Sequence, residues 1–166
     1  MHKIIRSTVA LGGLFAAPFA AHAQDVVRYK LANSSFPISS AVEVPAGKAI
    51  VYLSGKVPPV IDPKAPKDSV TAYGNTETQT VGVLTAIQKQ LQDMHLGMGN
   101  IVKMNVFLVG DPDHGGHMDF EGFMAGYTKF FGTKEQPNLP ARSAVQVAAL
   151  ANPGFRVEIE VTAVRP

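Results

Sequence analysis

The stretch that most limits the fold runs from Phe155 to Val164. Within it Val157, Ile159, Val161 and Ala163 alternate with Arg156, Glu158, Glu160 and Thr162. A period of two puts the apolar set on one face of a strand and the polar set on the other. Such a strand belongs to a sheet with one face covered and the other face half-polar. The cover has to come from elsewhere in the chain.

Two amphipathic segments are available for it. Asn75 or Thr76 opens a long helix, along which Val81, Leu84, Ile87, Leu91 and Met94 recur at three- or four-residue steps. Gly97 and Gly99 are predicted to stop it. The Gly-Met-Gly-Asn run there follows a helix, not a strand, so it reads as a helix end and not as a nucleotide loop. A second helix is predicted from about Met118 to Phe131. Its face carries Phe120, Phe123, Met124, Tyr127 and Phe130, a stripe that reads as core.

The remaining segments are strands. Val26 to Leu31 is the first. Ala41–Val44 and Ala49–Leu53 read as a hairpin around Pro45, Ala46 and Gly47. Lys56 to Ser69 holds Pro58, Pro59, Pro63 and Pro66 and reads as an irregular loop. Ile101 to Val109 alternates, with Val102, Met104, Val106 and Leu108 against Lys103, Asn105 and Phe107. Ala144–Leu150 and Phe155–Val164 close the chain, joined at Asn152-Pro153-Gly154. The order predicts an α+β fold: a mixed β-sheet of five to six strands with two helices on one face. The open face would carry Lys103, Asn105, Glu158, Glu160 and Thr162. A face of that kind is completed by oligomerisation.

The N-terminus reads as an export signal. Lys3 and Arg6 precede an apolar run from Ser7 to Ala20 that is too short to span a bilayer. Ala21-His22-Ala23 is a cleavage site, so residues 1–23 are expected to be removed and Gln24 to begin the mature chain. Removing 23 residues from 166 leaves 143, a single domain spanning 24–166. The expected location is the periplasm, with no membrane association after cleavage. Losing Lys3 and Arg6 leaves 13 basic and 13 acidic side chains. That balance argues against nucleic acid as a partner, since such binding leans on bulk positive charge. The absence of cysteine excludes disulfides, thiol nucleophiles and thiolate metal sites.

Few residues carry chemistry. Arg142 follows Pro140-Ala141 at the start of a strand-like run, and a guanidinium held there is a fork for a carboxylate. Its structural alternative is an ion pair at a subunit contact. Glu158 is either a solvated strand charge or a carboxylate able to order water and take its proton. Glu160 shares that face and reads as structural. Asp111, Asp113, His114 and His117 have metal-ligand chemistry, but Gly115-Gly116 loosens the loop, and no metal is expected. Ser143 lacks the surroundings of a nucleophile elbow.

Several pieces resemble the Rid family of reactive-intermediate deaminases, also called YjgF-like or L-PSP endoribonuclease-like. They are VYLSGKVP (51–58), TETQTVGVLTAI (76–87), GNIVKMNVFLVG (99–110), MDFEGFMAGYTKFF (118–131), PARSAVQVAAL (140–150) and VEIEVTAVR (157–165). The resemblance implies a YjgF-like, chorismate-mutase-like domain that forms a homotrimer, with ligand sites in clefts between subunits. It implies hydrolysis of 2-imino or enamino acids to 2-keto acids and ammonia, with no metal or organic cofactor. By position, Arg142 would grip the substrate carboxylate, Glu158 would position the attacking water, and backbone groups at Ala144 would meet the imine nitrogen. Three positions depart from the pattern. Ile38 follows Pro37 where a tyrosine is usual. Ala144 replaces a cysteine, and Met124 replaces an asparagine.

Two functions from different classes therefore stand. One is a hydrolase acting on small imino acids. The other is a non-catalytic module holding a small carboxylate in the same cleft. A ribonuclease, named in the family's other title, finds no basic footprint here.

Overall fold

The computed structural model describes residues 25–166. The predicted signal at 1–23 lies outside them. The strands are β1 (Val27–Lys30), β2 (Ser39–Glu43), β3 (Ile50–Lys56), β4 (Ile101–Val109), β5 (Ala141–Val147) and β6 (Val157–Val164). The helices are α1 (Thr76–Asp93) and α2 (Phe120–Tyr127). The six strands form one mixed sheet in the order β1-β2-β5-β4-β6-β3. β4 lies parallel to β5 and antiparallel to β6.

Both helices cover one face of that sheet. Met104, Val106 and Leu108 of β4 and Val157, Ile159, Val161 and Ala163 of β6 meet Val83, Leu84, Ile87 and Leu91 of α1 in a single core. Phe123, Tyr127 and Phe131 fill the α2 side of it, with Tyr127 and Phe131 stacked at 4.8 Å. Each such buried side chain contributes about 1.5–3 kcal/mol by leaving water. The two helices touch closely at Gly126. A Cβ there would stand 2.7 Å from Thr80 Cβ, so a larger residue would push α2 off α1. From Met104 onward the alternation in β4, and that in β6, lands as expected, polar side out; at the start of β4 an irregularity between Ile101 and Lys103 puts Ile101, not Val102, in the core cluster.

Several boundaries differ from the sequence reading: β2 begins at Ser39, β5 ends at Val147 and β6 begins at Val157, and four further differences have a clear cause. β2 and β3 do not form a hairpin. β2 pairs with β1 and β5, while β3 crosses to the far edge and pairs with β6. The turn chemistry at Pro45–Gly47 is real, but it makes a connection between edges, because the partners are chosen by apolar faces and not by closeness in sequence. α1 ends before Gly97. His95 takes the left-handed position at φ 57°, and Leu96 N–H donates to Leu91 O at 2.8 Å. This is a Schellman closure in which the Leu91–Leu96 contact outweighs the cost of a non-glycine residue. α2 ends at Tyr127, four residues early, in a run of turns through Phe131. β5 begins at Ala141, so Arg142 lies inside the strand.

α1 starts at Thr76 as the sequence reads, while α2 starts at Phe120, two residues after Met118, and each start carries a side-chain cap. Asn75 Oδ1 accepts from Thr78 N–H at 2.9 Å, and Asp119 Oδ1 accepts from Gly122 N–H at 2.8 Å. Each cap satisfies one of the unpaired N–H groups of a first turn. Among the described residues no helix is long and apolar enough to cross a membrane.

Candidate functional site

Arg142 is positioned by the parallel β4–β5 ladder. It sits opposite Met104, which is fully buried on the helix-covered face. Its side chain therefore enters the layer between sheet and α2, not solvent. The 3.6-residue period of α2 brings Phe120, Phe123, Met124 and Tyr127 to the same side. The guanidinium carbon lies 4.3 Å from the Tyr127 ring centroid, 4.9 Å from Phe123, 5.3 Å from Phe36 and 6.0 Å from Phe120. Negative ring faces stabilise a cation, by up to about 2 kcal/mol where water is excluded.

The guanidinium's hydrogen bonding is incomplete. Nη2 approaches Met124 Sδ at 3.3 Å, and a thioether is a weak acceptor. Nη1 is buried and has no acceptor among the described residues. Among the described residues of one protomer no carboxylate pairs with Arg142. Burial lowers the Arg142 pKa, with Tyr127 opposing the shift. An arginine remains charged all the same. Burial pushes Tyr127 up to about 12, the nearby guanidinium partly offsetting it. The Tyr127 hydroxyl donates to Pro37 O at 2.9 Å. That bond pins the loop carrying Phe36, Pro37 and Ile38 over α2.

Ala144 shares the face of Arg142 and packs on the edge of the core. Glu158 does not share it. In β6 it pairs with Phe107, whose side chain points away from the helices. Its carboxylate lies against Gly55, at the irregularity between Leu53 and Lys56 in the β3–β6 ladder. A Cβ at Gly55 would overlap Glu158 Oε1. Glycine at this position is therefore what allows a carboxylate to rest on the strand backbone. Further along the same open face, Tyr52, Ser54, Lys103, Asn105, Glu160 and Thr162 border a hollow of about 420 Å³. Within one protomer, then, Arg142 and Glu158 stand on opposite faces of the sheet.

The Asp111–His117 loop divides the residues considered for metal. His114 Nδ1 lies 3.5 Å from Asp111 Oδ2 and Nε2 lies 3.6 Å from Asp119 Oδ1. Both carboxylates are already capping backbone N–H groups, at Asp113 and Gly122. The imidazole bridges two caps. Asp113 and His117 stand outside that cluster. Gln146 of β5 ties the loop down, accepting from Met118 N–H and donating to Gly116 O.

The family question is decided by comparison of the whole domain. Residues 32–165 match the family model described as endoribonuclease L-PSP. The chain belongs to that family. A RutC family protein of Synechocystis is 30% identical over 135 residues, covering 81% of this chain and 93% of the relative. Among solved structures of the YjgF group, the YjgF gene product of E. coli is 29% identical at a TM-score of 0.54, covering 80% of this chain and 91% of that one. E. coli TdcF, solved with serine bound, is also 29% identical at 0.54, covering 74% and 85%. The Rid family protein YyfB of Yersinia pestis shares the fold at a TM-score of 0.62 and 22% identity. The two-helix, six-strand architecture is that of the L-PSP/YjgF family, in which trimers are typical.

Sequence reasoning missed two members of the site. Phe36 supplies a ring against Arg142, one residue ahead of the proline after which a tyrosine is usual. The signal was a lone aromatic in an otherwise polar loop. Gly55 was visible only as part of the quoted VYLSGKVP run. The α2 stripe was assigned to the core; Phe123 and Tyr127 are core, and they are also the floor under Arg142.

Proposed function

We propose that the protein hydrolyses small 2-imino or enamino acids to 2-keto acids and ammonia, as a homotrimer. Membership in the L-PSP/YjgF/Rid family supports a role on small molecules of this kind. The observation that carries the reading is the Arg142 guanidinium, desolvated, unpaired with any acid among the described residues, and with Nη1 free of an acceptor. A buried cation in that state favours an anion that offers two parallel acceptors, as a carboxylate does.

Arg142 and Glu158 lie on opposite faces, so a site using both draws them from two protomers. Arg142 of one protomer holds the substrate carboxylate. Glu158 of the partner subunit, resting beside its Gly55, orders a water. Fixing the imine between them replaces a chance encounter by an oriented one. The water oxygen bonds to the imine carbon while Glu158 takes its proton, and the C=N bond becomes C–N. Glu158 passes that proton to the nitrogen, hydrogen-bonded near the Ala144 backbone, and then relays the proton of the new hydroxyl to it as well, making a leaving amine. The C–N bond then breaks, C=O forms and ammonia departs. No metal or organic cofactor is needed for these steps. The export reading of residues 1–23 makes the periplasm the proposed place of action.

The test couples an amino-acid oxidase to keto-acid detection, with and without the protein. Acceleration of imine hydrolysis is expected, with Glu158→Gln keeping carboxylate binding but slowing turnover about a hundredfold, or about 3 kcal/mol. Keto-acid binding at Arg142 without any acceleration would favour the non-catalytic carboxylate-binding module instead.

A further inference from the structure

The rings around Arg142 divide into two pairs. Phe123 and Tyr127 are fully buried and belong to the core. Phe120 is half-buried, and Phe36 keeps 38% of its surface exposed. These outer two lie stacked, centroids 6.4 Å apart with planes at 18°. Their positions are held before any ligand arrives. Tyr127 Oη donates to Pro37 O, Phe36 N–H donates to Ser34 Oγ at 3.1 Å, and Ser39 N–H donates to Pro140 O at 2.9 Å. The same rings flank the guanidinium, so a carboxylate reaching it does so past apolar walls.

We propose that Phe36 and Phe120 select acids with an aryl or large flat apolar side chain. The inference rests on the carboxylate reading above and narrows it to a substrate class. A bound acid's body, next to its carboxylate, meets Phe36, Phe120 and the Met124 thioether. An aryl group there gains burial and offset stacking. A hydroxyl, amide or second carboxylate loses water and finds on this wall only a weak sulfur acceptor, already approached by Nη2. Phe36 is the specificity-determining residue of the pair, because it is the one in a loop and facing solvent.

The test uses equilibrium binding, separate from turnover. Phenylpyruvate and pyruvate share a carboxylate and a keto group and differ only in the ring. Calorimetric titration of the full protein is expected to show phenylpyruvate bound about tenfold or more tightly. Phe36→Ala is expected to bring the ratio of the two affinities close to one, phenylpyruvate losing more than pyruvate. Phe120→Leu gives a second, smaller loss by the same readout, with a thermal melt to show that each variant is folded. Equal affinity for the two acids, each lost in Arg142→Ala, overturns the selectivity and leaves the carboxylate site standing. A preference that survives Phe36→Ala also overturns it. No binding of either acid by the wild-type protein overturns the selectivity and the carboxylate reading together.

Discussion

Arg28 and Arg142 are both half-buried, and they are solvated in opposite ways. Arg28 of β1 spends its donors on backbone carbonyls: Gly99 O at 2.8 Å, Leu139 O at 2.8 Å and Ile101 O at 3.1 Å. It staples the edge strand to the turn before β4 and to the segment before β5. Arg142 meets rings, the Tyr127 phenol and a thioether, and its Nη1 finds no acceptor among the described residues. Burial lowers the pKa of both. The difference is in what the protein gets back. Carbonyls complete Arg28 within the chain, whereas Arg142 Nη1 has no acceptor among the described residues. A buried arginine is a structural residue when its acceptors are built in, and a candidate ligand group when they are not.

The comparison can be attacked first at Arg28. Arg28→Met leaves three carbonyls short of a charged donor and is expected to cost about 4 kcal/mol, with keto-acid binding kept. Urea unfolding beside a binding titration reads both. Destabilisation below about 1 kcal/mol would place Arg28 with ordinary surface cations.

Arg142→Ala should do the reverse. Binding and turnover are expected to fall a hundredfold or more, about 3 kcal/mol, while the unfolding midpoint moves far less than in Arg28→Met. Arg142→Lys should recover little, since an ammonium lacks the planar fork.

Alkaline titration probes the floor of the Arg142 site. Tyr127 goes from an ordinary value of 10.0 to about 12 in the fold. A raised phenol pKa means the folded state prefers the neutral form. Its contribution is complete below pH 10 and is lost as pH climbs from 10 towards 12, about 2–3 kcal/mol in all. Tyr127→Phe is expected to remove that part of the alkaline decline in stability; an unchanged pH profile would show that the phenol is not the group responsible.

The smallest effect belongs to a cation completed in solvent. Lys129 Nζ meets Glu77 Oε1 at 2.7 Å between α2's end and α1, both side chains well exposed. Lys129→Met should change stability by less than about 0.5 kcal/mol. A larger loss would mean that exposed pairing matters here as much as buried pairing.

Much of this molecule is readable from residue order alone, and the unreadable parts have a common cause. The β4 and β6 alternations, the start of α1 at Asn75 and the helix-over-sheet layering are local patterns, and they stand where the sequence puts them. The β2–β3 hairpin fails because strand pairing is settled across the whole sheet. His95 displaces Gly97 at the helix end because Leu91 and Leu96 both belong to the core cluster, and Leu96 N–H closes on Leu91 O. Arg142 and Glu158 are both identifiable as chemistry-bearing residues. Their separation by the thickness of the sheet is not, because it depends on the parity of two ladders, Met104 with Arg142 and Phe107 with Glu158. Phe36 reaches Arg142 only through the folding of its loop onto α2, a contact between segments far apart in sequence.

That parity has a genetic consequence on the two-protomer reading. A chain without Arg142 still carries a sound Glu158, and a chain without Glu158 still carries a sound Arg142. Each homotrimer alone is dead, every site lacking the same half. Co-expressed, the two defective chains would share rings, and any mixed trimer would pair one intact Arg142 with one intact Glu158 at a single interface. Random mixing would return about a quarter of the sites, so two null alleles would complement each other.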